Sequence, residues 1–367
     1  MSRPRARARG LRALVLAAGE GVRLRPLTDD LPKPLLPVAG RTVLDHTLDA
    51  LLAAGCEAAA VNLFHLGDKI RARYGDAYRG MPLVWSHEVG ERQGTLGALH
   101  PLKGFLAEAD AVVLVNGDTL CPWPLDRMLR RHRAAGAAAT LLLTTRVDPA
   151  GFAGGVGVDK EGRVLSFWQG AAERGTVARR AVFAGAHVLD PRLLDRVEAG
   201  PADVVRKLYV PMLEEGGGDG GGRVQAIVSH RRWHDLGTPR RYLEGVLDWG
   251  RGGWPERAWR RSWTSPEARV EAGARTRGAV VEAGATVGAG AVLERAVVLA
   301  GARVAGGARV RESVVGPGVQ LPAEASVEGR LITAYRDGVP IHPSDSQVGG
   351  LVYTPLDAVR RATNPGL

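Results

Sequence analysis

Between residues 270 and 330 the chain has almost no helical spacing. Instead Val270, Thr276, Val281, Val287, Leu293, Leu299, Val304, Val310, Val315, Leu321 and Val327 recur at steps of five or six. Gly-Ala pairs fall between them, at Gly273-Ala274, Gly284-Ala285, Gly290-Ala291, Gly301-Ala302 and Gly307-Ala308. A period near six is the signature of a parallel β-helix: one apolar residue per flat side points inward, and small residues turn the corners. An ordinary Gly-rich β-domain is the alternative, but chance would not hold the register over so many steps.

Upstream the texture is different. Apolar runs at residues 12–18, 58–64, 82–86, 111–116 and 137–146 read as strands. Between them residues 43–54, 66–74, 96–107 and 125–135 space apolar residues as helices do. This alternation predicts a doubly wound, mostly parallel α/β sheet, whose chemistry belongs at the carboxyl ends of the strands. A helix over 203–214, a flexible glycine loop over 216–222, a strand over 223–229 and a helix over 239–247 complete the pattern. The expected organisation is a disordered basic arm (1–10), the α/β domain (11–249), a linker (250–268), the β-helix (269–331) and an unassigned tail (332–367). Trp249, Trp254, Trp259 and Trp263 are expected to seal the joint between the two domains.

The 367 residues leave room for two domains, and 45% of them are apolar. The formal net charge of +10 raises nucleic acid as a partner. However, 44 of the 49 basic residues are Arg, scattered through every element, so no nucleic-acid role is assigned. The one dense run, Arg3 to Arg12, reads as a solvated arm. Neither an apolar stretch long enough for a membrane span nor a secretory signal is evident, and Cys56 and Cys121 are too few for a disulfide framework. A cytoplasmic protein with no membrane partner is expected.

The first strand runs into Leu16-Ala17-Ala18-Gly19-Glu20-Gly21-Val22-Arg23. Gly19 and Gly21 let the backbone turn and present N–H groups to a phosphate, and Arg23 adds a planar fork for its oxygens. A dinucleotide fingerprint would need a third glycine at Leu24, and no Walker lysine exists. Lys33, held between Pro32 and Pro34, offers a compact point charge. Asp118 follows the fourth strand run, and Asp235 precedes the last helix. Their hard oxygens suit a Mg2+ ion that bridges phosphates. Asp235 as a mere N-cap is the plainer alternative.

These motifs resemble the sugar nucleotidyltransferases, the NDP-sugar pyrophosphorylases. Members with a C-terminal left-handed β-helix, such as mannose-1-phosphate guanylyltransferases, have the most similar layout over about residues 11–330. The resemblance implies a Rossmann-like nucleotidyltransferase domain, an NTP and a sugar 1-phosphate as substrates, an NDP-sugar and pyrophosphate as products, and Mg2+ as cofactor. It implies that Arg23 holds the departing pyrophosphate, that Lys33 meets the α- and sugar-phosphate charge, and that Asp118 and Asp235 hold the metal. Ala17, Ala18, Gly19, Gly21, Gly94 and Thr95 would line the nucleotide site, and Gly154, Gln169 and Gly185 the sugar-phosphate site. GTP and mannose 1-phosphate are the leading substrates on that layout.

Two segments depart from the family. Phe167-Trp168-Gln169-Gly170-Ala171 stands where Phe-x-Glu-Lys-Pro is usual, which removes a cation from the acceptor side. Phe183-Ala184-Gly185-Ala186-His187 replaces Asn-Ala-Gly-x-Tyr, which predicts an altered polar rim. A catalytically weak regulatory paralogue that binds nucleotide or nucleotide-sugar is therefore the second reading. Acyl transfer on the β-helix lacks its base, because no histidine lies within 270–330. A homo-oligomer through the β-helix is expected.

Overall fold

The computed structural model describes residues 10–152, 154–167, 175–216, 222–252, 261–358 and 360. Among the described residues, contacts divide the chain into one unit within 10–20 and 44–233 and a second within 21–43 and 234–360.

In the first unit Leu11–Leu16 (β1) is paired in parallel on both sides, with Cys56–Leu63 (β2) and with Ala111–Asn116 (β4). Met81–His87 (β3) extends the sheet beyond β2. On the other side come Ala139–Thr144 (β5), a hairpin of Val156–Val158 (β6) and Val164–Ser166 (β7), Arg179–Leu189 (β8) and Val224–Ser229 (β9). The main order is β3-β2-β1-β4-β8-β5-β9, with β8 alone antiparallel to its neighbours within it. The sheet is thus mostly parallel, as expected. β1 is buried on both faces, which explains why its apolar residues run on without alternation.

Helix α1 (Val43–Ala53) and α2 (Gly67–Tyr74) lie close to the expected bounds, and α3 (Leu125–Ala135) matches them. α3 buries Leu125, Met128, Leu129 and His132, one stripe at helical spacing, and ends at Gly136 with φ 53°. The expected helix over 96–107 is not continuous. It is broken into Gly94–Gly97, a 3-10 turn His100–Leu102 and Lys103–Leu106, because Pro101 cannot donate a backbone hydrogen. Leu96, Leu99, Leu102 and Leu106 still share the core. The helix expected over 203–214 is a π-turn, Val205–Tyr209, running into α4 (Val210–Glu214). Pro211 has no N–H for the Lys207 carbonyl, and the Val210 amide reaches back to Val205 instead. Most of the expected glycine loop, residues 217–221, lies outside the described residues.

In the second unit, parallel strands stack with an exact repeat of 17 residues. Trp263, Val280, Val297, Val314 and Leu331 form one column; Arg269, Thr286, Arg303 and Gln320 a second; Arg275, Val292, Arg309 and Ser326 a third. The three stacked sheets are consistent with a left-handed β-helix. The sequence steps of five and six sum to this pitch. One inward position needs correction: Val298, 17 residues from both Val281 and Val315, occupies the core column in place of Leu299. Val270 is exposed and Thr276 half-buried, since both lie on the terminal coil. The strands begin at Trp263–Thr264, inside the expected linker. The tail, left unassigned by the sequence, holds further strands. Ser346–Val348 and Leu351–Pro355 form a hairpin antiparallel to Arg330–Ala334, covering the edge that the last coil would leave open. Helix α5 (Pro239–Gly250) also belongs to this unit. Thr238 caps it, accepting from the Arg241 amide, and Pro239 sits at its first position.

Candidate active site

Chain order reverses across β1, since β2 and β3 lie on one side and β4 on the other. Such a switch point opens a crevice at the carboxyl ends of the strands. Leu16 and Asn116 are register partners, so Ala17-Ala18-Gly19 and Gly117-Asp118 leave the sheet side by side. The Gly117 amide donates to the Leu16 carbonyl at 2.8 Å. A Cβ on Gly117 would come within 3.0 Å of both the Leu16 carbonyl oxygen and Val15 Cγ1. A larger residue at 117 would press on both, so glycine suits the step that leads to Asp118. Gly19 is exposed, and a Cβ there would meet nothing within 4 Å. Its backbone thus faces open space that a phosphate could fill.

A buried polar chain supports this edge. The Ala17 amide donates to Asn62 Oδ1 at 2.7 Å, Asn62 Nδ2 donates to Glu88 Oε1 at 2.7 Å, and Glu88 Oε2 accepts from the Gln93 amide at 2.8 Å. Asn62 and Glu88 were missed in the sequence. The available signal was a polar residue inside the run 58–64, near its carboxyl end, and another just past the run 82–86.

Gly94 and Thr95 follow Gln93, and their local roles are structural. Gly94 has φ 69°, and a Cβ on it would sit 2.7 Å from the Ala202 carbonyl. Thr95 Oγ1 accepts from the Val204 amide at 2.9 Å and donates to Asp203 Oδ2 at 3.3 Å. On the far side of the sheet's carboxyl edge, Gly185 has φ 88° at an irregularity in β8, where a Cβ would strike Asn116 Nδ2 at 2.6 Å. Gly154, φ 87°, has open space before it. Gln169 and its neighbours 168–174 lie outside the described residues. His187 does not form a polar rim. It is fully buried, its Nδ1 2.5 Å from the Tyr209 hydroxyl, and burial pushes its pKa down to about 3.

The second unit holds the cationic residues. Gly21 has φ 68°, and its carbonyl accepts from Thr28 Oγ1 at 2.8 Å, which closes the turn carrying Arg23. Lys33 is 8% exposed at the head of a 3-10 turn, Lys33–Leu35, set between its two prolines. Arg23 Nη2 and Asp235 Oδ1 flank Gly237: each would lie 2.8 Å from a Cβ built there. Asp235 Oδ2 accepts from Arg241 Nη1 at 2.6 Å, and Arg241 was not singled out in the sequence. Asp235 therefore pairs with the Arg241 guanidinium, ahead of the helix that Thr238 caps. It is not itself the cap.

Among the described residues no three His, Cys, Asp or Glu side chains cluster as a metal-binding group. A magnesium ion retains water and takes phosphate oxygens, so one or two carboxylates suffice. Asp118 and Asp235 each carry hard oxygens of the kind that such an ion takes.

The family model described as nucleotidyl transferase matches residues 12–250. The chain belongs to that family. The match takes in Arg23, Lys33, Asp118 and Asp235 and stops short of the β-helix. Among similar proteins, mannose-1-phosphate guanylyltransferase of Mycobacterium tuberculosis is 33% identical over 242 residues, covering 65% of each chain. The catalytic subunit beta of mannose-1-phosphate guanylyltransferase from Drosophila pseudoobscura pseudoobscura is 30% identical over 240 residues, 65% of this chain and 62% of its own. The chain thus spans a little under two thirds of these curated relatives. Cys56 and Cys121 are both buried and not bonded to each other.

Proposed function

We propose that this chain transfers a nucleotidyl group from an NTP to a sugar 1-phosphate, giving an NDP-sugar and pyrophosphate, with GTP and mannose 1-phosphate as the first pair to test. The observation that carries the reading is the paired ends of β1 and β4, where the Gly117 amide donates to the Leu16 carbonyl at the sheet's carboxyl edge, one residue before Asp118. The names of the similar proteins supply the substrate pair.

In this reading a sugar-phosphate oxygen attacks the α-phosphorus in line, and the bond to the pyrophosphate oxygen breaks. Several negative charges converge, so positioning and neutralisation dominate and no nucleophilic side chain is needed. We assign Arg23 to the departing pyrophosphate and Lys33 to the α- and sugar phosphates, with the backbone of Ala17, Ala18, Gly19 and Gly21 against the nucleotide. Asp118 and Asp235 would hold Mg2+, which supplies charge neutralisation on the phosphate oxygens when bound. Gly94 and Thr95 would shape the base pocket, and Gly154, Gln169 and Gly185 the acceptor pocket. A cytoplasmic homo-oligomer joined through the β-helix accompanies this reading, checked by light scattering on the purified chain.

The deciding experiment measures pyrophosphate release with Mg2+ across the NTPs and a panel of sugar 1-phosphates. One productive pair, with a loss of about 100-fold or more in Asp118→Asn, supports the assignment. Silence with every pair refutes it. If nucleotide nonetheless raised Tm, the chain would be a regulatory binder, in keeping with the cation missing at Gly170.

A further inference from the structure

The 17-residue pitch stacks Ser265, Glu282, Leu299, Gly316 and Thr333 at one position of successive coils. Their backbones repeat the same bond: the amides of Ser265, Glu282, Leu299 and Gly316 donate to the carbonyls of Val281, Val298, Val315 and Ile332. Glu282 is the anomaly in this column. It is 2% exposed, where the next coil carries a fully buried leucine. The local sequences differ in little else, Val280-Val281-Glu282-Ala283-Gly284 against Val297-Val298-Leu299-Ala300-Gly301. A buried carboxylate persists only where donors meet it.

Glu282 Oε1 has no hydrogen-bond partner among the described residues, and the donor to Oε2 comes from the segment that carries Lys33. Pro37–Val38 and Arg41–Thr42 form a two-stranded hairpin whose tip, Ala39 (φ 50°) and Gly40 (φ 83°), has the left-handed conformations of a tight two-residue turn. The Gly40 amide donates to Glu282 Oε2 at 2.9 Å. Burial pushes the Glu282 carboxyl upward, while the amides of Gly40 and Ala39 stabilise its charged form. A Cβ on Gly40 would lie 3.0 Å from the Trp263 ring, so the tip rests on the first coil. At the hairpin base the Pro37 carbonyl accepts from the hydroxyl of the fully buried Tyr242, on α5, at 2.7 Å. Between base and turn there is no slack. The Leu36 amide donates to the Lys33 carbonyl at 3.0 Å, and the Val43 amide to the Leu36 carbonyl at 3.1 Å.

We propose that Glu282 is a positioning residue for Lys33: by accepting the Gly40 backbone hydrogen at the hairpin tip, the second coil of the β-helix fixes the Lys33 segment. The β-helix then serves the transfer reaction itself as well as any assembly role. The inference rests on the transferase reading for its kinetic consequence, and on geometry alone for the clamp.

The test uses the full chain with Glu282→Leu, which installs the residue of the next coil, and Glu282→Gln, which keeps one acceptor. Circular dichroism sets a temperature at which both are folded. Hydrogen exchange of residues 33–42 should rise about tenfold or more in Glu282→Leu, while residues 291–332 keep wild-type protection. kcat should fall about tenfold or more, in line with a displaced cation, and Glu282→Gln should recover most of both losses. In a Lys33→Ala background Glu282→Leu should add less than about twofold, because the two act through one group. Unchanged exchange in a folded Glu282→Leu overturns the clamp. Faster exchange with wild-type kcat overturns the positioning role and leaves a structural staple. Should the wild type release no pyrophosphate with any pair, the transferase reading and the positioning role fail together, and exchange alone decides the clamp.

Discussion

Gly237→Ala isolates the geometry around Asp235. Gly237 is buried, and its backbone lies outside the left-handed region, so alanine is conformationally acceptable there. The new Cβ would stand 2.8 Å from Arg23 Nη2 and 2.8 Å from Asp235 Oδ1, with Asp235 Oδ2 at 3.2 Å. Ordinary contact begins near 3.4 Å, so the two closest atoms must each retreat by about 0.6 Å. Both belong to side-chain ends, and Arg23 is exposed, so the fold can yield without loss of core packing. The expected stability change is below about 1 kcal/mol. A shift of this size at groups that must meet phosphates costs roughly 10- to 100-fold in kcat/KM. Pyrophosphate release measured beside thermal unfolding reads both quantities on one sample. A folded Gly237→Ala with wild-type kcat/KM would refute the reasoning, since the spacing of Arg23 and Asp235 would then have no part in catalysis. A large drop in Tm would show that the backbone, and not the side chains, takes up the strain.

Other perturbations address separate parts of the chain. Gly117→Ala should destabilise by about 1–3 kcal/mol in urea unfolding, because its Cβ meets backbone and a packed valine instead of a movable side-chain end. His187 should make stability fall on acidification. The unfolded imidazole binds a proton as pH drops through 6.5, while the buried one, pushed down to about 3, does not. Stability from this group is therefore complete above pH 6.5 and declines toward pH 3, by up to about 1.4 kcal/mol per unit. His187→Gln should flatten the slope between pH 5 and 6.5 in denaturant titrations. Cys56 and Cys121 have thiols that burial pushes up to about 12, so a thiol reagent at pH 8 should label both only on unfolding. Rapid labelling of the native chain would contradict that burial.

Recognition of both architectures needed only periodicity. The run of apolar strands and helical stripes indicated a parallel α/β sheet, and the step of five to six residues indicated a β-helix. These patterns are legible because burial on two faces of a strand, or on one side of a coil, is written into every turn of the chain. The glycine turn, Arg23, Lys33, Asp118 and Asp235 stood out as candidates for a related reason: each sits at a fixed offset from a strand end or a proline. The exceptions were local competitions. Pro101 and Pro211 outweighed helical spacing because a missing N–H removes a bond whatever the side-chain pattern. Leu299 was assigned inward because steps of six and five are interchangeable in a list, and only stacking fixes which residue lies above which.

The sequence by itself determined the fold classes, their order along the chain and the residue types available to meet phosphate. What only the tertiary structure decided were the partnerships. Asn62 and Glu88 become supports of the Ala17 backbone because parallel pairing brings three strand ends together. Arg241 becomes the partner of Asp235 because α5, which begins at Pro239, turns the chain back so that Arg241 Nη1 reaches Asp235 Oδ2. Glu282 becomes the holder of a hairpin 242 residues away in sequence. Periodicity is a property of neighbours along the chain and survives in a string of letters. Hydrogen bonds between distant segments exist only once packing has set the distance, and no local spacing encodes them.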